Sequence, residues 1–335
     1  MLKRNIVLVI LLGIILGVLS WYYYLHTQKY KYSFPGYDIE NADFFGATGQ
    51  GKAFNVKANY AKKISPSVYN LNTIYCKYFL DPGREKYIEV ISPTGVLNEE
   101  KSLLDLNGGV EFIASYGYRM LTENFFIDLN KHISTTKDEV LVSGAQGKVV
   151  SKDGMIIYMK DKKITFHGPI KSMFIENDGK SLGTDEAIYI NSDTLDVDYE
   201  NGIAEYKTNV FVQKNGGFDL YCDRAKIFFV IKQATENKIK ASSGNIKRIE
   251  LYDNITIVKE QKTAKGDSGV IYPKEKLIIL TGNVALKDKT DKREGYLEGS
   301  EVRYYMNEGV FKVKNEDASK KGRVKIILGE TKKSQ

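Results

Sequence analysis

Gly46–Ala53 reads GATGQGKA, close to a loop that cradles phosphate. Gly46, Gly51 and Lys52 stand where G-x-x-x-x-G-K-[ST] places them, but Ala53 replaces the hydroxyl that would hold magnesium. Such a loop must also open a helix, and the FNVKANYAK that follows alternates like a strand, so the stretch reads as a glycine-rich hairpin. In SDTLDVDYEN, Asp193, Asp196 and Asp198 lie close together. A calcium loop needs a glycine turn and a closing bidentate Glu. Here Asp196 and Asp198 alternate with Leu195, Val197 and Tyr199, which makes them the wet face of a strand. The chain has 42 acidic residues, and no His or Lys marks any pair of them as an acid–base couple. No G-x-S-x-G elbow and no Ser/His/Asp order is visible. His26, His132 and His167 are scattered, and Cys76 and Cys222 stand in neither CxxC nor zinc spacing. The two cysteines read as buried or half-buried strand thiols. The expectation is a protein that is not an enzyme, with no catalytic residue, no cofactor and no metal site.

The elements around these residues are more informative. The chain has 335 residues, which at about 150 per domain suggests two domains. Apolar residues make up 42%, enough for a packed core. There are 23 tyrosines, and Tyr, Val, Ile and Thr suit a pleated, half-buried surface. The net charge of +7 is spread thinly, with no basic stripe, which disfavours nucleic acid as a partner.

The first residues differ from the rest. Lys3 and Arg4 precede an apolar run from Ile6 to Leu25, about the 20 residues needed to cross a bilayer as a helix. Trp21, Tyr22, Tyr23 and Tyr24 close the run, where aromatic rings favour the interface. A cleaved signal peptide would need small residues near Ser20, and bulky aromatics stand there instead. Residues 1–30 are therefore expected to be an uncleaved transmembrane anchor, with the remainder exported.

After the anchor, short runs alternate with period two: FNVKAN, GVEFIA, FFIDLN and ITIVKE. Turn signals separate them, among them NGG at Asn107 and Asn215, DG at Asp153 and Asp178, and NG at Asn201. Spacings of about ten to fifteen residues favour antiparallel hairpins. One phrase recurs: LTGNVALKDK at Leu280, LYDNITIVKE at Leu251, YKTNVFVQKN at Tyr206 and DLNGGVEFIA at Asp105. The polar stretch Ile175–Ala187 is the best linker, and it divides two β domains of like construction, 31–178 and 184–328. The closing GETKKSQ reads as a frayed tail.

These phrases resemble a known family. LTGNVALKD, preceded by AKGDSGVIYPKEKLII, is similar to the LptA/OstA proteins of lipopolysaccharide export, and so is TNVFVQKNGGFDLYCDRAKIFF. Asp223, Ala225 and Ile227 carry the family's D-x-A-x-aliphatic pattern, and Asp267, Gly269 and Ile271 carry a second copy; Thr208 stands where the usual phrase has Gly. The first half resembles LptC: an anchor, then Val56, Ala58 and Ala61 in a V-x-A-x-x-A phrase, then DLNGGVEFI and LTENFFIDL. The two are normally separate chains and here stand in series.

The resemblance implies an all-β chain of two consecutive OstA-like β-jellyrolls after one transmembrane helix. It implies lipopolysaccharide transport from inner to outer membrane, with acyl chains held in an apolar groove. The expected lining is Val56, Ala58, Val110, Phe112, Ile127, Leu129, Val210, Val212, Ile227, Ile255, Ile257, Val284 and Leu286, each of which plain core packing would also explain. Implied partners are lipopolysaccharide, the inner-membrane ABC transporter of the pathway, and LptA-like rolls or the outer-membrane receptor joined by strand addition. The implied location is the inner membrane, single-pass, with the bulk of the chain periplasmic. A membrane-anchored scaffold without lipid cargo is the rival reading. A carbohydrate-active β protein is a third, and it lacks a carboxylate constellation.

Overall fold

The computed structural model describes residues 36–47, 53–79, 87–115, 117–145, 147–175, 187–214, 217–229, 246–289, 293–314 and 325–330. The expected anchor at 1–30 lies outside them, as do residues 48–52, residues 176–186 within the expected linker, and residues 331–335. Among the described residues no helix is long and apolar enough to cross a membrane.

The all-β expectation holds. The strands of the first part are β1 (Asp38–Ala47), β2 (Ala53–Ser65), β3 (Val68–Phe79), β4 (Tyr87–Asn98), β5 (Leu103–Ala114), β6 (Arg119–Asp128), β7 (Ile133–Thr136) and β8 (Val140–Gly144). Then come β9 (Gly147–Ser151), β10 (Met155–Tyr158), β11 (Lys163–Phe166), β12 (Ile170–Ile175), β13 (Ala187–Ser192), β14 (Thr194–Asp198) and β15 (Ile203–Lys214). The last are β16 (Phe218–Phe229), β17 (Ile246–Lys259), β18 (Lys262–Tyr272), β19 (Leu277–Lys289), β20 (Arg293–Tyr305), β21 (Val310–Lys314) and β22 (Lys325–Glu330). All pair antiparallel in one sheet. The described ends of the GATGQGKA stretch pair between β1 and β2, with Gly46 opposite Phe54 and Ala47 opposite Ala53.

Hairpins at one end close by a recurring device. The Oδ1 atoms of Asn98, Asp128 and Asp198 each accept the backbone N–H three residues on, at 2.9 Å in all three. The next strand then begins beside a residue in the left-handed region: Ser102, His132 and Gly202 respectively. The NG at Asn201 is therefore a true hairpin turn. The NGG at Asn107 is not: it lies inside β5, and the chain does not reverse there. The DG at Asp153 marks the break between β9 and β10, while the signals at Asp178 and Asn215 fall outside the described residues.

These mid-strand breaks organise the molecule. The ladder registers skip between Asn107 and Val110, Lys207 and Val210, Tyr252 and Ile255, and Thr281 and Val284. In each case two residues bulge against one on the partner strand, which bends the strand sharply. Thr208 with Asn209, and Asp253 with Asn254, take positive φ, as do Gly282 with Asn283 and Gly108 with Gly109. Successive bulges align, so the sheet doubles over along a corner. One layer holds β8, β9, β12 and β13 with the matching halves of the long strands. The other holds β7, β10, β11 and β14 with the remaining halves.

The ladder does not stop at the expected domain boundary. β12 pairs with β13 from Ile170 opposite Ser192 to Ile175 opposite Ala187, and β11 pairs with β14. The two halves share one sheet on either side of residues 176–186. Among the described residues its outermost strands are β1 at one edge and β21 with β22 at the other.

Candidate functional site: the apolar interior

Each strand turns alternate side chains inward, and the registers place those of neighbouring strands in rows. One row in the first layer runs without a gap through Phe44, Val56, Cys76, Val90, Phe112, Met120, Val142 and Val149. It continues through Ser172, Ile190, Val212, Leu220, Ile257, Ala264, Leu286 and Leu297. A row in the second layer passes through Ile157, Ile164, Val197, Ala204, Ile227, Ile249, Ile271, Ile278 and Tyr304. Both rows cross from the first half of the chain into the second, and the buried residues form one cluster.

Beside the corner, the first layer pairs a branched aliphatic side chain with a small one on the next strand. The pairs are Ile74 with Ser92, Val110 with Thr122, Val140 with Ser151, Ile170 with Ser192, Val210 with Cys222, Ile255 with Gly266 and Val284 with Gly299. The small residues have a second task, because the bend leaves backbone carbonyls without ladder partners. Ser92 donates to the Thr94 carbonyl at 2.9 Å and Ser192 to the Thr194 carbonyl at 2.8 Å. Cys222 makes the same contact more weakly, its Sγ lying 3.4 Å from the Arg224 carbonyl. This explains the type and burial of Cys222. Cys76 instead sits in the apolar row between Val56 and Val90. Both thiols are buried and free, as the sequence suggested, and burial pushes each up to about 12.

On the outside of the corner, Asn and Asp pair across strands. Asn209 donates to Asp193 at 2.7 Å, Asn254 to Asp223 at 2.7 Å and Asn283 to Asp267 at 2.6 Å. The recurring Asn-Val phrase and the D-x-A phrase are thus two sides of one contact. Asn tolerates the positive φ of the bulge, Asp on the adjoining strand receives its amide, and the residue two beyond Asp turns inward at the corner. Beside Asp267 that residue has little room, since a Cβ on Gly269 would lie 2.7 Å from Leu280 Cδ2, whereas beside Asp193 the buried Leu195 fills the place.

Of the expected lining residues, Val56, Ala58, Val110, Val210, Val212, Ile227, Ile255, Ile257, Val284 and Leu286 are buried in the interior. Phe112 and Ile127 are half-buried against it. Leu129 lies past the end of β6, half-buried in the turn that leads to β7. Asp193, Asp196 and Asp198 are engaged by side chains, Asp196 by Thr165 at 2.7 Å and Lys207 at 2.6 Å, and Asp198 by Asn201 at 2.8 Å. Among the described residues no cluster of potential ligands could hold a metal ion.

Period two did not reveal how the layers meet. Aromatic rings touch across the interior at several points. Phe112 and Phe125 are 4.5 Å apart edge to face, Phe44 and Tyr69 5.1 Å, Phe218 and Tyr304 6.2 Å, and Phe174 and Phe229 6.4 Å. Buried hydroxyls also meet across the layers: Thr122 and Thr136 lie 3.3 Å apart within the first half, and the fully buried Tyr206 donates its phenol proton to Ser172 Oγ at 2.9 Å. Burial holds the Tyr206 phenol well above its ordinary pKa, so it remains a donor.

An antiparallel sheet doubled along a corner, with an apolar inside continuous from one edge to the other, is the class of structure these residues define. Residues 6–174 match the family described as "Lipopolysaccharide-assembly, LptC-related". Residues 189–310 match the family "LptA/(LptD N-terminal domain) LPS transport protein". The first match takes in half of the chain, and the chain belongs to the LptC family, with an LptA-like domain following in the same polypeptide. Both are families of lipopolysaccharide transport. No curated protein matches the chain. Among solved structures it is similar to LptH, the LptA homologous periplasmic component of the lipopolysaccharide transport device from Pseudomonas aeruginosa. The two share 14% identity over 42% of this chain and 93% of that one, with a TM-score of 0.31.

Proposed function

We propose that this chain is an inner-membrane-anchored bridge component that carries lipopolysaccharide with its acyl chains between the two layers. The anchor is residues 1–30, and the family match from residue 6 takes in that apolar stretch. The regions 31–178 and 184–328 are the two rolls. The observation that carries the reading is the inner row from Phe44 to Leu297, apolar along almost its whole length and unbroken between the halves. A hydrocarbon chain moved through water costs about 0.8 kcal/mol per exposed methylene, so a shield must be continuous to be of use. The lining residues are those expected from sequence apart from Leu129, with Met120, Ile190 and Leu220 added by the registers. The ABC transporter of the pathway supplies the lipid at the β1 end, and an LptA-like roll or the outer-membrane receptor pairs with the strands at the other.

The rival reading, an anchored scaffold without cargo, draws on a specific observation. Most of the interior side chains are buried against one another, so acyl chains enter only if the layers part. Photo-crosslinking separates the two. A photoreactive residue replaces Phe112 or Leu286, with outward-facing Glu111 and Lys287 as controls. Lipid adducts at the inward positions alone support transport through both halves. Equal or absent labelling at all four positions refutes it and leaves the scaffold.

A further inference from the structure

Tyr206 and Ser172 form a buried hydroxyl pair that joins the two halves of the chain, whereas the buried pair Thr122 and Thr136 lies wholly within the first half. Ser172 is the one hydroxyl in the first-layer row from Phe44 to Leu297, flanked there by Val149 and Ile190. Its partner comes from the opposite layer: Tyr206, on β15, reaches across the hydrocarbon to it. The two residues also belong to different halves. Ser172 lies within the LptC match and Tyr206 within the LptA-like match. The Phe174–Phe229 ring pair crosses between the layers at the same seam.

A hydrogen bond of this kind acts most strongly where it stands. In a low-dielectric interior both hydroxyls need a partner, and separating them leaves two unsatisfied groups facing hydrocarbon. Aromatic contacts elsewhere along the interior yield gradually, since rings slide against acyl chains at little cost. The Tyr206–Ser172 bond is either made or broken. It therefore sets a discrete barrier where cargo leaves the first half and enters the second.

We propose that Tyr206 and Ser172 form a latch that closes the interior at the seam between the halves and must open for each acyl-chain passage. The latch rests on the transport reading. It makes the seam, and not entry into the first half, the step that restrains lipid from running ahead of its supply.

The test uses the full-length chain and two readouts. The first is the ratio of lipopolysaccharide adducts at position 286, beyond the seam, to those at position 112, before it. Tyr206→Phe keeps the ring and removes the donor, Ser172→Ala removes the acceptor, and the double variant removes both. Ser172→Thr keeps the hydroxyl. The latch requires the 286-to-112 ratio to rise about fivefold in Tyr206→Phe and in the double variant, the factor that one net hydrogen bond of about 1 kcal/mol provides. Ser172→Thr should leave it near the wild-type value. An unchanged ratio in every variant overturns the latch, and so does a fall, which would mean that the pair assists passage. Adducts at neither position in the wild-type chain would instead sink the transport reading itself.

The second readout needs no lipid. Amide hydrogen exchange on the purified chain should quicken roughly fivefold in β12, β13 and β15 of Tyr206→Phe, with β5 and β19 unmoved. Uniform acceleration through all strands marks a general loss of stability and overturns a local latch. Should Tyr206→Phe fold poorly, Ser172→Ala carries both measurements.

Discussion

The Asn–Asp contacts at the corner make a quantitative claim. Asn283 serves two purposes: it adopts φ of 42° in the bulge, and its amide donates to Asp267 at 2.6 Å. The hydrogen bond is exposed, so its net value is about 1 kcal/mol. Holding a residue other than Gly or Asn in the left-handed region costs about 1–2 kcal/mol more. Asp267→Ala should therefore cost about 1 kcal/mol and Asn283→Ala about 2–3 kcal/mol. The double variant should cost no more than Asn283→Ala alone, because the bond is already lost. Urea unfolding of the chain in detergent, followed by far-ultraviolet circular dichroism, measures all three. With a slope of about 3 kcal/mol/M, Asn283→Ala moves the midpoint down by roughly 0.7–1 M. Asn254 with Asp223 is an internal repeat of the experiment, at φ of 52° and 2.7 Å. If Asn283→Ala costs no more than Asp267→Ala, or if the two add fully, the motif is not the paired device described here.

Further outcomes are expected. Gly269→Ala should lose about 1–3 kcal/mol by overpacking against Leu280, and Leu280→Ala in the same chain should cost less than it does alone; additive midpoint shifts would contradict the close approach. Ile257→Ala, at a fully buried position, should cost about 2–5 kcal/mol, several times the loss from Leu129→Ala in its half-buried turn, as thermal unfolding will show. Cys222→Ser should be tolerated, since Ser occupies the equivalent corner positions 92 and 192, whereas Cys76→Ser buries a hydroxyl in an apolar row and should cost about 1–3 kcal/mol. The thiols also set a pH dependence. An unfolded thiol ionises near its ordinary 9.0, while the folded ones hold their protons to about 12. Unfolding therefore releases protons in that window: the contribution is complete below pH 9 and is lost as pH rises towards 12. A chain lacking both cysteines should show a shallower decline, and maleimide at pH 8 should label the native thiols far more slowly than unfolded ones.

Alternation made the strands and most inward residues legible, because one buried face imposes period two. It failed at the corner, where the spacing of two is interrupted. Ala58 and Ala61, Leu71 and Ile74, Thr122 and Phe125, and Cys222 and Ala225 are inward neighbours three apart. Leu106 and Val110, Tyr206 and Val210, Leu251 and Ile255, and Leu280 and Val284 are four apart. The signal was present in the repeated Asn-Val phrase, but a mid-strand bulge and a hairpin turn use the same residues for the same reason, tolerance of positive φ. In the sequence, the NGG at Asn107 therefore has the look of a turn. Leu129 continued the alternation of Phe125 and Ile127 past the point where Asp128 closes the hairpin. Tyr206 and Ser172 carried no local mark. Their contact joins opposite layers across 34 residues of sequence, and a Tyr or a Ser in an alternating run is unremarkable by itself.

The continuity of the ladder has a mechanical consequence. Two rolls on a flexible tether would transmit no torque, and their separation would fluctuate with the tether. A sheet whose strands are bonded through the join behaves as a single twisted ribbon, with a contour fixed by strand spacing. At about 4.8 Å per strand, the row from Phe44 on β1 to the strand beyond Leu297 spans roughly 75 Å. A rotation imposed at one edge reaches the other as twist. Tension along the row acts on the backbone hydrogen bonds in series, so the ribbon yields by unzipping at its weakest ladder, not by stretching evenly.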